Sequence, residues 1–234
     1  METFSGDRFT FSPGIRAGDV VSIRDGDGNV RITYRSFAGI VGIVAALVAA
    51  IVLTAGAAAT LFLIADGRNG PAAVAAILSV AFSVVIAGLV PPVRVTLYEA
   101  SIPVLAIAQQ SRFSIPFVTY AVTTPDGNTV GTLRTGILSR LGRNRWRIAG
   151  PEQYPVANAI EESFGRAFVR KLLGKFNRQY QSNLVILQDD VEAGLIVRRP
   201  DEEDNYDFLE MSPGASLDRR VAVALATLVF GAEP

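Results

Sequence analysis

FAGIVGIVAALVAAIVLTAGAAATLFLIA (residues 37–65) holds no charged side chain, and after a three-residue break NGPAAVAAILSVAFSVVIAGLVPPV (residues 69–93) holds none either. A helix needs about 20 apolar residues to cross the hydrocarbon core of a bilayer, and both runs exceed that length. Helices buried in a soluble core are usually shorter and keep a polar stripe. The two runs therefore predict a transmembrane helical hairpin over residues 37–93. The link Asp66-Gly67-Arg68-Asn69-Gly70-Pro71 suits a tight turn, and Pro71 is acceptable in the first turn of the second helix. Pro91 and Pro92 should end that helix, because they remove backbone donors and favour extended chain.

A hairpin places the segments before and after it on the same side of the membrane. Arg31 and Arg35 precede the first helix and Arg94 follows the second, whereas Arg68 in the turn is offset by Asp66. Excess Lys and Arg marks the cytoplasmic side, so the expectation is a multi-pass protein of the cell membrane with both termini cytoplasmic. Residues 1–35 carry charges throughout and lack the apolar core of a cleaved signal peptide. The helices contain no Asp, Glu, Lys or Arg, the groups on which ion pathways and proton relays depend. Gly39 and Gly42, Ala45 and Ala49, Ala46 and Ala50, and Ala72 and Ala76 recur at helical spacing. Such small residues allow close helix contact, either within the hairpin or in a homo-oligomer.

Composition narrows the chemistry. The 234 residues balance 22 Lys and Arg against 22 Asp and Glu, and mean hydropathy is +0.33. There is no Cys, which excludes disulfides, thiolate catalysis and Cys-ligated zinc. There is no His either, which removes the Ser-His triad and the usual base near neutral pH. Asp189 and Asp190 are the carboxylates an enzyme reading would use, but they lie in no spaced acid/base pair and read as a turn. No phosphate loop or dinucleotide fingerprint is present. The expectation is a non-enzymatic protein without cofactor or metal.

Outside the apolar runs the pattern is that of strands. VVSIRDGDGNVRITYR gives two alternating segments around Asp25-Gly26-Asp27-Gly28-Asn29, a β-hairpin signal. A calcium loop counted from Asp25 would need Gly at its sixth place and Glu at its twelfth, where Val30 and Ser36 stand. VRVTLYE, VLAIAQQ, FVTYAVTT, TVGTLRT, RWRIAG, NLVILQ and AGLIVRR continue the strand series, with Pro125-Asp126-Gly127-Asn128 as a second tight turn. VANAIEES could add a strand, while FGRAFVRKLLGKF reads as helix. Asp201-Glu202-Glu203-Asp204 reads as a solvated loop, with weak cation binding as the alternative. In SLDRRVAVALATLVF, Ser216 can cap a helix, with Asp218 in its first turn and an apolar run of about 12 residues behind it. That run is short for a membrane span and hydrophobic all round, so it must be enclosed. A β-barrel closed around it removes the sheet edges and encloses the helix.

Ile23-Arg24-Asp25 with Gly28-Asn29, Asp126-Gly127-Asn128 with Val130-Gly131, Trp146, and Leu217-Asp218-Arg219-Arg220 with the helix behind it form an order of features. That order resembles the tubby-like superfamily, and within it the phospholipid scramblase and LURP-one-related proteins. The likeness covers about residues 15–36 and 94–232 and implies a closed β-barrel around a central C-terminal helix that binds membranes or phosphoinositide head groups. The apolar hairpin interrupts the family pattern, and neither a cysteine-rich palmitoylation segment nor a calcium loop is found. The fold expected is thus α+β in a membrane protein, a two-helix transmembrane hairpin plus a tubby-like barrel. Its parts are residues 1–36, the first portion of the barrel; 37–93, the hairpin; and 94–234, the main barrel with its helix.

Between Asp126 and Glu152 stand Arg134, Arg140, Arg143, Arg145 and Arg147 with no acid among them. A second basic group follows at Arg166, Arg170, Lys171, Lys175 and Arg178. Each basic side chain near an anionic leaflet is worth about 1 kcal/mol, and Trp146 and Phe168 suit insertion at the interface. The lipid-binding set expected is Arg134, Arg140, Arg143, Arg145, Trp146, Arg147, Arg170, Lys171 and Lys175. The partners expected are membrane lipids, acidic phospholipids among them, or a protein at the cytoplasmic face. Scramblase-like lipid translocation and a scaffold without lipid ligand are the alternatives. No nucleic-acid module accompanies the arginines.

Overall fold

A computed structural model of the chain describes residues 2–12, 18–35, 40–89, 92–111, 116–136, 144–162, 183–197 and 206–231. They divide into two compact units, residues 1–38 with 93–234, and residues 39–92.

The first unit is a closed antiparallel barrel of twelve strands. In chain order they are β1 Arg8–Phe11, β2 Val20–Arg24, β3 Val30–Arg35, β4 Arg94–Glu99, β5 Ile102–Gln109 and β6 Phe117–Thr123. The series continues with β7 Thr129–Gly136, β8 Arg145–Ala149, β9 Pro155–Glu161, β10 Leu184–Gln188, β11 Val191–Val197 and β12 Asp207–Met211. The segments read as strands from their alternation are β2 to β11. β1 and β12 are additional to that reading, and they pair with each other from Arg8↔Glu210 to Phe11↔Asp207, closing the barrel.

Alternation divides each strand into an inward and an outward set. Ile23, Ile32, Leu97, Leu105, Ile107, Leu133, Ile148, Ile186, Ile196 and Leu209 face inward and are fully buried. A barrel of twelve strands spaced about 4.8 Å apart and tilted about 40° has a radius of about 12 Å. A helix with its side chains occupies a radius of about 5–6 Å, which leaves room for one layer of strand side chains around it. The C-terminal helix, α3 Arg219–Gly231, fills that space, and every residue from Val221 to Val229 is buried. Glycine admits the helix at one point of the wall. A Cβ at Gly131 of β7 would stand 2.7 Å from the Ala149 carbonyl oxygen and 3.0 Å from Val221 Cγ2.

Antiparallel order gives the barrel two unlike ends. At one, the turn end, the chain reverses tightly at residues 25–29, 100–101, 124–128, 150–154 and 189–190. Three of these share one geometry: Gly28 N donates to Asp25 O, Gly127 N to Thr124 O, and Gln153 N to Gly150 O. The residue before re-entry has φ near +83°, +84° and +64° respectively, the bulged three-residue hairpin in which glycine is preferred. Asp189 and Asp190, at φ 50° and 61°, form a two-residue turn. At the other end, longer connections join the strands, and the longest runs from Arg35 to Arg94 through the second unit.

The second unit is the helical hairpin α1 Ile40–Ala65 and α2 Asn69–Leu89. Both helices are long and apolar enough to cross a membrane: residues 48–65 have mean hydropathy 2.4 with none buried, and 69–86 have 1.9 with 17% buried. Leu61, Phe62, Ile77 and Val85 point away from the partner helix, each more than half exposed, a surface unlike that of a soluble core helix. The helices meet along small residues: a Cβ at Gly56 would collide with Ser79, and Ser83 Oγ donates to Ala49 O across the pair at 3.3 Å. Ala72, in the first turn of α2, is buried as well. Pro71 lies in the first turn of α2, and Gly67, at φ 74°, closes the link before it.

Candidate functional site

Strand phase decides which of the basic residues share a surface. On β7, Leu133 and Thr135 face inward, so Arg134 faces out; on β8, Trp146 and Ile148 face inward, so Arg145 and Arg147 face out. The register sets Arg134 directly opposite Arg147 and places Arg145 on the diagonal. Like charges directly opposite on one sheet face repel. All three side chains are exposed, and none has an ion-pair partner among the described residues. Arg134 lies 4.0 Å over the ring of Phe117, which is 44% exposed on β6. A cation–π contact at such a site is worth about 0.5–1 kcal/mol, and it holds the guanidinium against the barrel wall. The surface is a triangle of three arginines beside an aromatic ring.

Trp146 belongs to the opposite side of the wall. It was expected at a membrane interface, but it is 2% exposed and stands inside the barrel against Tyr120, with ring centroids 6.0 Å apart. The reason is the period of two: a residue between two outward arginines on a strand must face in. Its indole Nε1 is buried without a hydrogen-bond partner among the described residues. Arg140, Arg143, Arg170, Lys171 and Lys175 lie outside the described residues, as do Arg166, Phe168, Arg178, the FGRAFVRKLLGKF segment and the acidic run at 201–204. The chain enters and leaves the segments 137–143 and 163–182 at the end of the barrel where Arg35 and Arg94 stand.

At the turn end, the start of α3 is fixed by a residue other than the one the sequence suggested. Asp218, not Ser216, is the cap: its Oδ1 accepts from Arg220 N at 2.9 Å, and its carbonyl accepts from Val221 N and Ala222 N. Ser216 Oγ instead accepts from Gln188 Nε2 at 2.7 Å. The Asp218 carboxylate also takes the Arg220 guanidinium, with Oδ2 to Nη2 at 2.6 Å. Burial works against ionising Asp218, but the bonds from the Arg220 side chain and amide and the charges of Arg220 and Arg219 outweigh it. They hold the carboxyl below its ordinary value of 3.8. Arg219 reaches the N-terminal segment, Nη2 to Asp7 Oδ1 at 2.5 Å and Nε to Gly6 O at 3.2 Å. In the first hairpin turn, Asp25 accepts from Arg31 at 2.7 Å and from the amides of Asp27 and Asn29. The Arg31 bond is the chief reason its carboxyl also lies below the ordinary value.

Glu161 is the buried carboxylate of the barrel interior, 1% exposed, with Oε2 accepting from Asn144 N at 2.8 Å. Among the described residues no group of three or more Asp or Glu converges as a metal site would require.

Fold and site together define a closed antiparallel barrel with a central helix and an apolar helical hairpin inserted between two neighbouring strands. Comparison with protein-family models, with characterised proteins and with solved structures finds no match to this chain.

Proposed function

We propose that this chain is a non-enzymatic, membrane-anchored barrel that binds acidic phospholipid through the outer face of β7 and β8. The observation that carries the reading is the triangle of Arg134, Arg145 and Arg147, exposed and without an acidic partner among the described residues. Three adjacent cations on a sheet face repel one another, and a surface of phosphates relieves that repulsion. At about 1 kcal/mol for each basic residue near an anionic leaflet, the three together give about a hundredfold in affinity. With α1 and α2 in a bilayer, Arg35 and Arg94 tether one end of the barrel to the leaflet. Arg145 begins β8 at that end. Arg31, Arg35 and Arg94, which flank the hairpin, favour the cytoplasmic side for both termini. The likeness to the tubby-like superfamily points the same way, since it implies a membrane-binding barrel around a C-terminal helix.

The hairpin can be bypassed for the test, because β3 and β4 are antiparallel neighbours and Arg35 and Arg94 stand at the same end of the barrel. The barrel with residues 37–92 replaced by a short Gly-Ser linker should float with liposomes containing acidic lipid, and salt should reverse it. Native-like emission from Trp146 reports that it is folded. A folded barrel that ignores acidic liposomes, or binds equally after R134Q/R145Q/R147Q, overturns the lipid reading. Anchoring is tested on the full chain, which should resist alkaline extraction from membranes.

A further inference from the structure

At the turn end of the barrel a cleft of about 510 Å³ opens between the turns at 124–128 and 150–154 and the start of α3. Cavities of about 300–1,000 Å³ with mostly apolar walls and a few polar groups are the usual form of ligand sites. The walls here are Val130, Ile148, Pro151, Val156 and Leu217. Asp218 and Arg220 also line the cleft, but they neutralise each other in an ion pair of three hydrogen bonds. That leaves Asp126 as the acidic wall residue without an ion partner among the described residues.

The surroundings of the cleft carry one sign of charge. Glu152 follows Pro151 in the same turn, and Asp189 and Asp190 follow the lining residue Gln188. The three turns contain no Lys or Arg. Exposed apolar side chains stand among these acids, Tyr154 at 70% and Val191 at 69%. The acids are spread along the rim rather than converged as metal ligands, so they suit an extended cationic partner. They also set this end against an anionic leaflet, which repels it.

We infer that the cleft is a docking site for a basic, amphipathic segment of a partner protein. One aliphatic side chain of the segment packs at the mouth of the cleft against Pro151 and Val156, apolar lining residues that remain exposed. Lys or Arg residues on either side of it meet Asp126, Glu152 and Asp189. This inference stands apart from the lipid reading: it uses the other end of the barrel and the opposite sign of charge.

The test uses the full chain in nanodiscs of neutral phosphatidylcholine and a fluorescent peptide of alternating Leu and Lys, read by anisotropy against empty nanodiscs. The expected result is saturable binding that weakens at least tenfold in D126N/E152Q/D189N and at high salt. A Leu-Glu peptide should not bind. Val156→Trp, a change at a partly exposed position, narrows the cleft without altering charge and should also weaken binding about tenfold. R134Q/R147Q should leave it unchanged. Absence of Leu-Lys binding, or equal binding to the acid-neutral variant, overturns the inference. Equal binding to the Val156→Trp variant overturns the packing of a side chain at the mouth of the cleft.

Discussion

Asp218 holds Arg220 at both ends, taking its amide at 2.9 Å and its guanidinium at 2.6 Å with one carboxylate. The same group caps the helix around which the barrel closes. Asp218→Ala should therefore lower stability by about 1–2 kcal/mol, the upper range for a lost cap. Asp218→Asn should cost less, since Asn also caps. Urea titration of the detergent-solubilised chain at pH 7, followed by Trp146 emission, measures both.

The lowered carboxyls of Asp218 and Asp25 set the direction of acid sensitivity. A group with a depressed folded pKa contributes its stability above the unfolded value, here 3.8. That contribution is lost as pH falls through the folded value, because the unfolded chain binds the proton first. Stability should be flat near pH 6 and fall below about pH 5, and Asp218→Asn should flatten part of that fall. A variant with the full acid slope would remove Asp218 from the account.

Gly131 is where the wall meets the helix. Gly131→Ala should destabilise by about 1–3 kcal/mol through overpacking, whereas Gly26→Ala, with no atom within 4 Å, should change little. Adding Val221→Ala to Gly131→Ala should recover only part of the loss, since the Ala149 carbonyl oxygen remains 2.7 Å from the new Cβ. Thermal unfolding of the three variants decides it.

Arg134 and Arg147 face each other, so binding and stability should move in opposite directions. R147Q should raise stability by a few tenths of a kcal/mol at low salt. The same change should weaken attachment of the linker-joined barrel to acidic liposomes about fivefold. A loss of both would mean that Arg147 serves the fold instead.

Trp146 is the sole tryptophan, and its burial gives a direct optical test. Emission should be blue-shifted and shielded from acrylamide, and brominated acidic lipid should not quench it. Strong quenching by the lipid would put the indole at the interface after all.

How much of this was legible in the sequence follows from the range of each signal. The hairpin helices and β2 to β11 announce themselves through local hydrophobic period and turn residues. β1 and β12 do not: RFTF and DFLEM are only four and five residues long. Their pairing joins residues about 200 positions apart, which no window of sequence displays. Trp146 was misplaced because it was grouped with its basic neighbours rather than assigned by strand phase. Ser216 and Asp218 are both good caps by type; Asp218 is the one whose carboxylate meets the Arg220 amide, while the serine hydroxyl accepts from Gln188. The cleft depends on how two hairpin turns and a helix start come together, so no single motif marks it.

The seam between β1 and β12 also constrains the order of events during synthesis. β1 to β3 leave the ribosome before the apolar hairpin, and β12 and α3 are translated after every other element described. The early strands must therefore wait with open edges while the hairpin and the later strands are made. The barrel then assembles around a helix that arrives after its wall. Closure of the barrel therefore waits for β12 and α3, and the interval before α3 arrives is when the exposed strand edges need protection from other chains.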